Sequence, residues 1–102
     1  MLFQIAQLGE REHGVPLADG GQHAGAWETS LMLALHPELV KMERAEPGFT
    51  GDLQEAVASM FSGGVASIST NGAIGDPTQA SPEHGDRYWS AIEEIVVEQV
   101  EG

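Results

Sequence analysis

Alternation between apolar and polar residues predicts two short strands in this chain. Over Leu2–Leu8, Phe3 and Ile5 are separated by a glutamine, and Val65–Ser69 places Ile68 opposite a valine and two serines. Successive side chains of a strand point to opposite faces of the sheet, so a period of two is typical of a half-buried strand.

A repeat of three to four residues predicts a helix in the middle of the chain. Trp27, Leu31 and Leu35 share one apolar face over Ala26–Leu35. Pro37 ends this helix, because the residue before a proline avoids the helical region.

Two further helices are marked by residues that cap helix starts. Asp52 precedes a predicted helix over Leu53–Phe61, and Ser81 precedes one that begins at Pro82 and is expected to run to about Val100. Short polar side chains at these positions accept from free backbone N–H groups, and proline suits the first helical position.

Glycine- and proline-rich segments connect these elements. Gly9–Gln22 is predicted to be a long loop, and His36–Gly51 is predicted to be irregular. Long loops in small domains are often functional. The order strand, helix, helix, strand, helix predicts an α/β fold in a single small domain over residues 1–102.

The net charge of the chain excludes some classes of binding partner. The 102 residues include four basic and sixteen acidic side chains, which gives a net charge of −12. Four cations cannot form a phosphate-binding patch, so neither nucleic acid nor a membrane surface is an expected partner. A basic signal start and an apolar run of ~20 residues are both absent, so we expect a cytoplasmic protein. The lack of cysteine excludes disulfides and zinc–cysteine sites.

The densest candidate chemistry lies between Asp19 and Ser30. His23 stands in a glycine-rich loop five residues before Glu28, which falls in the first turn of a predicted helix. A neutral imidazole with a carboxylate behind it suits proton transfer near neutral pH, and a helix start offers N–H groups to an oxyanion. An ordinary helix start, with Glu28 as a first-turn acid and His23 in solvent, is the alternative, and spacing alone favours it.

A second candidate is a metal site formed by Glu10, Glu12, His13 and Asp19. Carboxylates and imidazoles are common metal ligands. A solvated loop is the alternative, because adjacent side chains diverge on an extended chain. His84 lies in a predicted first helical turn and is expected at the surface.

Two long blocks resemble the creatininase (creatinine amidohydrolase) family. In the first block, His23 precedes a Glu-Thr-Ser sequence and a Leu-Met-Leu-Ala helix that ends before a proline. The second block begins at Asn71 and carries Gly-Asp-Pro-Thr ahead of the last helix. The blocks follow the family's order, and the resemblance covers about residues 19–102.

The resemblance implies a metal-dependent hydrolase of small or cyclic amides on a single α/β domain. The family also includes deformylases and peptidases that trim a peptide-derived redox cofactor. In creatininase a di-metal centre activates water, and the divalent metal implied here is zinc or manganese. In creatininase, the histidine that matches His23 exchanges protons with the substrate nitrogen. The resemblance implies that the residue matching Glu28 orients that histidine.

Two neighbouring positions match substrate-binding positions of the family but carry different residues. Gln22 replaces a glutamate and cannot titrate. Asp19 replaces the tryptophan that closes over creatinine, so the resemblance argues against creatinine itself as the small-molecule substrate.

The family's metal ligands lie in an N-terminal half that is not represented here, so we expect ligands outside this chain. The chain then resembles the C-terminal half of the fold: a fragment, a truncated product or a subunit of a split enzyme. We expect it to form a homo-oligomer or to bind a complementary chain, because its apolar surfaces would otherwise be exposed.

Three hypotheses follow from the sequence. The chain is the acid–base part of an amidohydrolase, a non-catalytic interaction subunit derived from one, or an acidic domain unrelated to the family. The two matching blocks disfavour the third hypothesis. Metal content and turnover distinguish the first two.

Overall fold

A computed structural model describes residues 1–102 as an assembly of helices joined by short irregular segments. The α-helices are α1 (Leu2–His13), α2 (Leu17–Gly20), α3 (Ala26–Leu35), α4 (Leu53–Gly63) and α5 (Pro82–Glu101). Short 3₁₀ turns lie at Pro37–Leu39, Met42–Arg44, Val65–Ser67 and Pro77–Gln79. No helix combines the length and the apolar composition needed to cross a membrane.

The predicted strand over Leu2–Leu8 is wrong, because this segment is the first half of α1. Its buried residues are Ile5, Ala6, Leu8 and Gly9, which share one face of a helix. The alternation at Phe3 and Ile5 was too short to distinguish a period of two from a helical one. The predicted loop over Gly9–Gln22 is also wrong, because α1 continues to His13 and α2 follows.

The second predicted strand is also wrong, because Val65–Ser67 forms a 3₁₀ turn. The Ser67 hydroxyl donates to the carbonyls of Gly64 and Ser59, at 2.7 and 3.2 Å, and so folds the segment back onto α4. Only two isolated β-bridges occur, and both involve Ile74. The predicted α/β character is therefore not confirmed, and the observed domain is helical.

The three predicted helices are confirmed, and the two predicted capping residues act as predicted. The Asp52 carboxylate accepts from the backbone N–H of Glu55 at 3.0 Å, and the Ser81 hydroxyl accepts from that of His84 at 3.1 Å. These local signals set the start of α4 and α5 because a capping side chain needs only its own following turn. The predicted irregular segment from His36 to Gly51 holds two 3₁₀ turns and no longer element.

The core lies where α3 packs against α5, with α1 covering one side. Its larger side chains are Ile5, Leu8, Trp27, Leu31 and Tyr88. Burial of aliphatic and aromatic side chains of this size is the main stabilising contribution in a domain this small. The core therefore fixes the start of α3, which is the element that positions the candidate site.

Ser30 and Gly85 allow α3 and α5 to approach closely. Ser30 is completely buried; its hydroxyl donates to the Ala26 carbonyl at 2.6 Å and accepts from the Ser81 N–H at 3.1 Å. A Cβ at Gly85 would overlap the Ser30 carbonyl oxygen and crowd the Ala34 side chain. Glycine is therefore required at this crossing by close approach of the two backbones.

Substituting Gly85 by alanine should lower the free energy of unfolding by about 1–3 kcal/mol, because the added methyl must push the helices apart. Urea denaturation of the two proteins measures this difference. Ser90→Ala, at an exposed position of the same helix, is the control and should change stability by less than about 0.5 kcal/mol. Equal stability of Gly85→Ala and the parent would show that the close helix crossing is absent in solution.

Candidate functional site

Three backbone segments meet beside the start of α3. The N–H groups of Gln22 and His23 donate to the Ile74 carbonyl at 2.8 and 3.2 Å, and the Ile74 N–H donates back to the His23 carbonyl at 2.7 Å. On the other side, the Phe49 N–H donates to the Ala73 carbonyl at 3.0 Å. Ile74 is 1% exposed. The two sequence blocks that resemble the creatininase family are thus held side by side.

Gly21 makes this approach possible. Its φ is +80°, and a Cβ there would overlap the Ile74 carbonyl oxygen. The buried indole of Trp27 donates to the Gly21 carbonyl at 2.9 Å. The loop before His23 is therefore anchored on one side to the core helix and on the other to Ile74.

His23 has a fixed backbone and an exposed side chain. It lies on the wall of an open cleft of about 500 Å³. The polar and charged residues that line this cleft are His23, Thr29, Lys41, Arg44, Glu46 and Asn71. An imidazole in such a position has access both to water and to a bound molecule.

Glu28 does not hydrogen-bond to His23. Its carboxylate accepts from the backbone N–H of Ala24 at 2.8 Å. Ala24 has a φ of +51°, a conformation that is unusual for a residue with a side chain. Glu28 thus stabilises the backbone next to His23, which resembles the reciprocal bond of a capping box at a helix start.

The other two predicted site residues lie outside the cleft. The Asp19 carbonyl accepts a hydrogen bond from the backbone N–H of Asp76 at 2.7 Å. The Asp19 carboxylate accepts one from the side-chain amide of Gln79. Gln22 borders a separate apolar groove that is lined by Phe3 of α1 and by residues of α4. The structure does not bring Asp19 and Gln22 together with His23, and their contact with substrate stays a prediction.

Lys41 and Arg44 are the two cations of the cleft, and neither was predicted from the sequence as a site residue. Lys41 precedes the 3₁₀ turn at Met42–Arg44, Arg44 ends it, and both are exposed. Two of the four cations of the chain occur within four positions, and this clustering in an acidic sequence is the signal that could have identified them.

The second predicted cluster is dispersed. The Arg87 guanidinium donates two hydrogen bonds to the Glu12 carboxylate at 3.0 and 3.1 Å, while Asp19 is occupied by Gln79. No group of three or more histidine, aspartate or glutamate side chains is arranged to hold a metal ion. The solvated-loop alternative is also wrong for Glu12 and His13, because both lie in α1.

His13 and His84 instead form a stacked pair that joins α1 to α5. Their ring centroids are 3.9 Å apart with an angle of 11° between the planes, and Tyr88 packs edge-on against His13. His13 Nε2 and His84 Nδ1 are buried without a hydrogen-bond partner. The expectation that His84 lies at the surface is therefore wrong, since its ring is half-buried in this stack.

The surroundings of the histidine pair shift the pKa values of three nearby groups. Desolvation by burial and the neighbouring His84 lower the pKa of His13, although the Glu12 carboxylate acts in the opposite direction. The hydrogen bond from Arg87 lowers the pKa of Glu12. Burial raises the pKa of Tyr88, so its phenol stays neutral and adds no charge to the cluster.

Comparison with known proteins first identifies a family. Residues 2–100 match the model of the creatininase family, described as creatinine amidohydrolase, and the chain belongs to that family. The match includes α1, which lies ahead of the region that the sequence blocks covered. No solved structure matches the chain.

The curated relatives are named mycofactocin precursor peptide peptidase. The protein of Mycobacterium tuberculosis is 41% identical over 81 residues, which are 79% of this chain and 32% of the relative. The corresponding figures are 37% identity, 81% and 33% for Mycobacterium ulcerans, and 42%, 76% and 31% for Mycolicibacterium smegmatis. The chain therefore spans about a third of the length of these relatives.

The lowered pKa of His13 predicts that stability falls as the pH falls from 7.5 to about 5.5. The unfolded chain takes up a proton near the ordinary histidine pKa of about 6.5, whereas the folded chain does so only at lower pH. Protonation then favours unfolding until the pH passes the folded pKa. Glu12 contributes in the same direction, but only near and below the ordinary glutamate pKa of about 4.3.

Urea denaturation as a function of pH measures this dependence. His13→Gln should flatten the curve between pH 7.5 and 5.5, while His36→Gln, at an exposed position, should leave its slope unchanged. A His13→Gln variant with the parent's slope would show that His13 is not the group responsible.

Proposed function

We propose that this chain forms the acid–base part of a creatininase-family hydrolase that cleaves a C–N bond of a peptide, with His23 as the proton-transferring residue. The observation that carries the proposal is the position of His23: its backbone is held by Ile74 and its ring lies exposed in a cleft. The relatives' names favour a peptide over the cyclic amide expected from the sequence.

Hydrolysis of an amide requires a proton at the nitrogen that leaves. The oxygen of a water molecule bonds to the carbonyl carbon, the C–N bond breaks, and the amine carries away a proton. Imidazole exchanges protons efficiently near neutral pH because its ordinary pKa is about 6.5. A group of this kind contributes about 10²–10⁴ to the rate.

Glu28 supports this role through the backbone in our proposal. Its carboxylate holds the Ala24 N–H and so stabilises the turn that presents His23. Glu28 is therefore proposed as a positioning residue. Asp19 acts in the same way at the other end of the loop by fastening it to Asp76 and Gln79.

The residues of this chain do not fit the zinc or manganese that the family implies. Glu12, His13 and Asp19 each contact other side chains, and no three metal-binding side chains converge. In the proposed enzyme, the ligands of the metal belong to residues outside this chain.

An apolar groove between α1 and α4 is the proposed surface on which the residues that supply the metal ligands would pack. Phe3, Leu53, Val57 and Ala58 line it, together with Gln22. Phe3 is 55% exposed. Exposed apolar surface of this kind marks an interface in soluble proteins. Gln22 borders the groove and directly precedes His23, so a segment that covered the groove would lie beside the His23 loop.

The test is a chimera in which this chain replaces the matching third of the Mycolicibacterium smegmatis peptidase. We expect the chimera to cleave a linear peptide and to leave creatinine intact. His23→Ala should lower its turnover by about 10²–10⁴, whereas His36→Ala should not change it. Mass spectrometry of the products gives the rates.

A folded but inactive chimera would instead support a non-catalytic interaction subunit. Unchanged turnover after His23→Ala would remove His23 from the chemistry while leaving the family membership intact. Circular dichroism of each variant verifies that it is folded.

A further inference from the structure

We propose that Lys41 and Arg44 form a binding site for a carboxylate in the cleft beside His23. That this carboxylate belongs to a peptide substrate rests on the function proposed above. The site is built from the chain's own charges, and its ligand class follows from their number and geometry.

Position, together with the lack of an ion pair, sets these two cations apart. Arg87 binds the Glu12 carboxylate, whereas Arg11, Lys41 and Arg44 take part in no ion pair, and of these three only Lys41 and Arg44 line the cleft. The chain has sixteen acidic side chains for its four basic ones, so carboxylate partners are abundant. Two unpaired cations in one cleft of such a chain leave a place for an acceptor supplied by another molecule.

A short turn of the backbone connects the two residues. Lys41 immediately precedes the 3₁₀ turn Met42–Arg44, and its carbonyl accepts from the Arg44 N–H at 2.9 Å. The Ala45 N–H donates to the Met42 carbonyl at 3.0 Å and closes the turn. Both cations line the cleft that also contains His23.

The net charge of the cleft fits one carboxylate. Lys41 and Arg44 contribute two positive charges, and Glu46 on the same wall contributes one negative charge. Among the side chains that line the cleft, one positive charge remains, which a single carboxylate would balance. The planar guanidinium of Arg44 suits the two oxygens of a carboxylate, and the Lys41 ammonium adds a point charge.

A peptide offers such a group at its C-terminus or on an aspartate or glutamate side chain. A carboxylate bound by these cations would hold the peptide with its backbone near His23. The pair would therefore favour peptide segments that are acidic or that end in a free carboxylate. Elsewhere on the surface, the net charge of −12 repels such segments.

Peptide titration of the full chain tests the proposal. The probes are an alanine-based hexapeptide with one glutamate and a free C-terminus, its C-terminal amide, its glutamine analogue, and the peptide with both changes. Binding is followed by the backbone amide NMR signals of Lys41, Arg44 and His23. The doubly neutral peptide should bind roughly fivefold more weakly or worse. The single changes identify which carboxylate is bound.

Variants separate a specific site from general attraction. Arg44→Ala and Lys41→Ala should each weaken binding of the charged peptide roughly fivefold, and Lys41→Arg should restore it. Arg11→Ala is the matched control, because it removes one exposed cation outside the cleft and should change binding less than about twofold. Glu46→Gln should strengthen binding.

Equal effects of Arg11→Ala and Arg44→Ala, equal affinity for the neutral peptide, or no binding of the charged peptide would each overturn the proposal. His23→Ala distinguishes it from the proposed function, since this variant should keep its carboxylate preference while the corresponding chimera loses turnover. Turnover without carboxylate preference would leave His23 in its role and reject only Lys41 and Arg44.

Discussion

The site depends on the hydrogen bonds that Ile74 makes with the loop before α3. One buried residue accepts from Gln22 and His23 and donates back to His23. The carbonyl of its neighbour Ala73 accepts from the Phe49 N–H. The same segment therefore also holds the chain that follows Lys41 and Arg44. Removing a partner from a buried backbone group costs about 1–3 kcal/mol, which is why this junction fixes the loop.

The helix pair α3–α5 supplies the rigid support for that junction. Trp27 links the core to the Gly21 carbonyl, and Ser30 links α3 to the first turn of α5. Two residues of the Glu-Thr-Ser sequence therefore have structural contacts: Glu28 holds the Ala24 backbone, and Ser30 joins the helices. In this chain, the motif builds the platform from which the His23 side chain reaches the cleft.

The sequence predicted those parts of the fold that depend on neighbouring residues. Asp52 and Ser81 cap their helices through contacts within one turn, so both starts were predictable. The helix over Leu2–Leu8 was not, because a few alternating residues fit either period, and its burial depends on distant residues such as Tyr88. His23 was identified as a candidate from its glycine-rich setting, and its role in the site stays a prediction. The grouping of Lys41 and Arg44 with His23, and the stacking of His13 on His84, depend on contacts across the chain that spacing does not encode.

Hydrogen exchange of single backbone amides tests the central role of Ile74 most directly. We expect the amides of Ile74 and Gln22 to exchange nearly as slowly as that of Tyr88 in the core of α5, because opening the junction requires breaking buried hydrogen bonds. The exposed Thr50 amide, which lies outside the junction, should exchange rapidly and serves as the reference. Rapid exchange at Ile74 and Gln22, with α5 still protected, would show that the His23 loop is not held by this segment and would contradict the account.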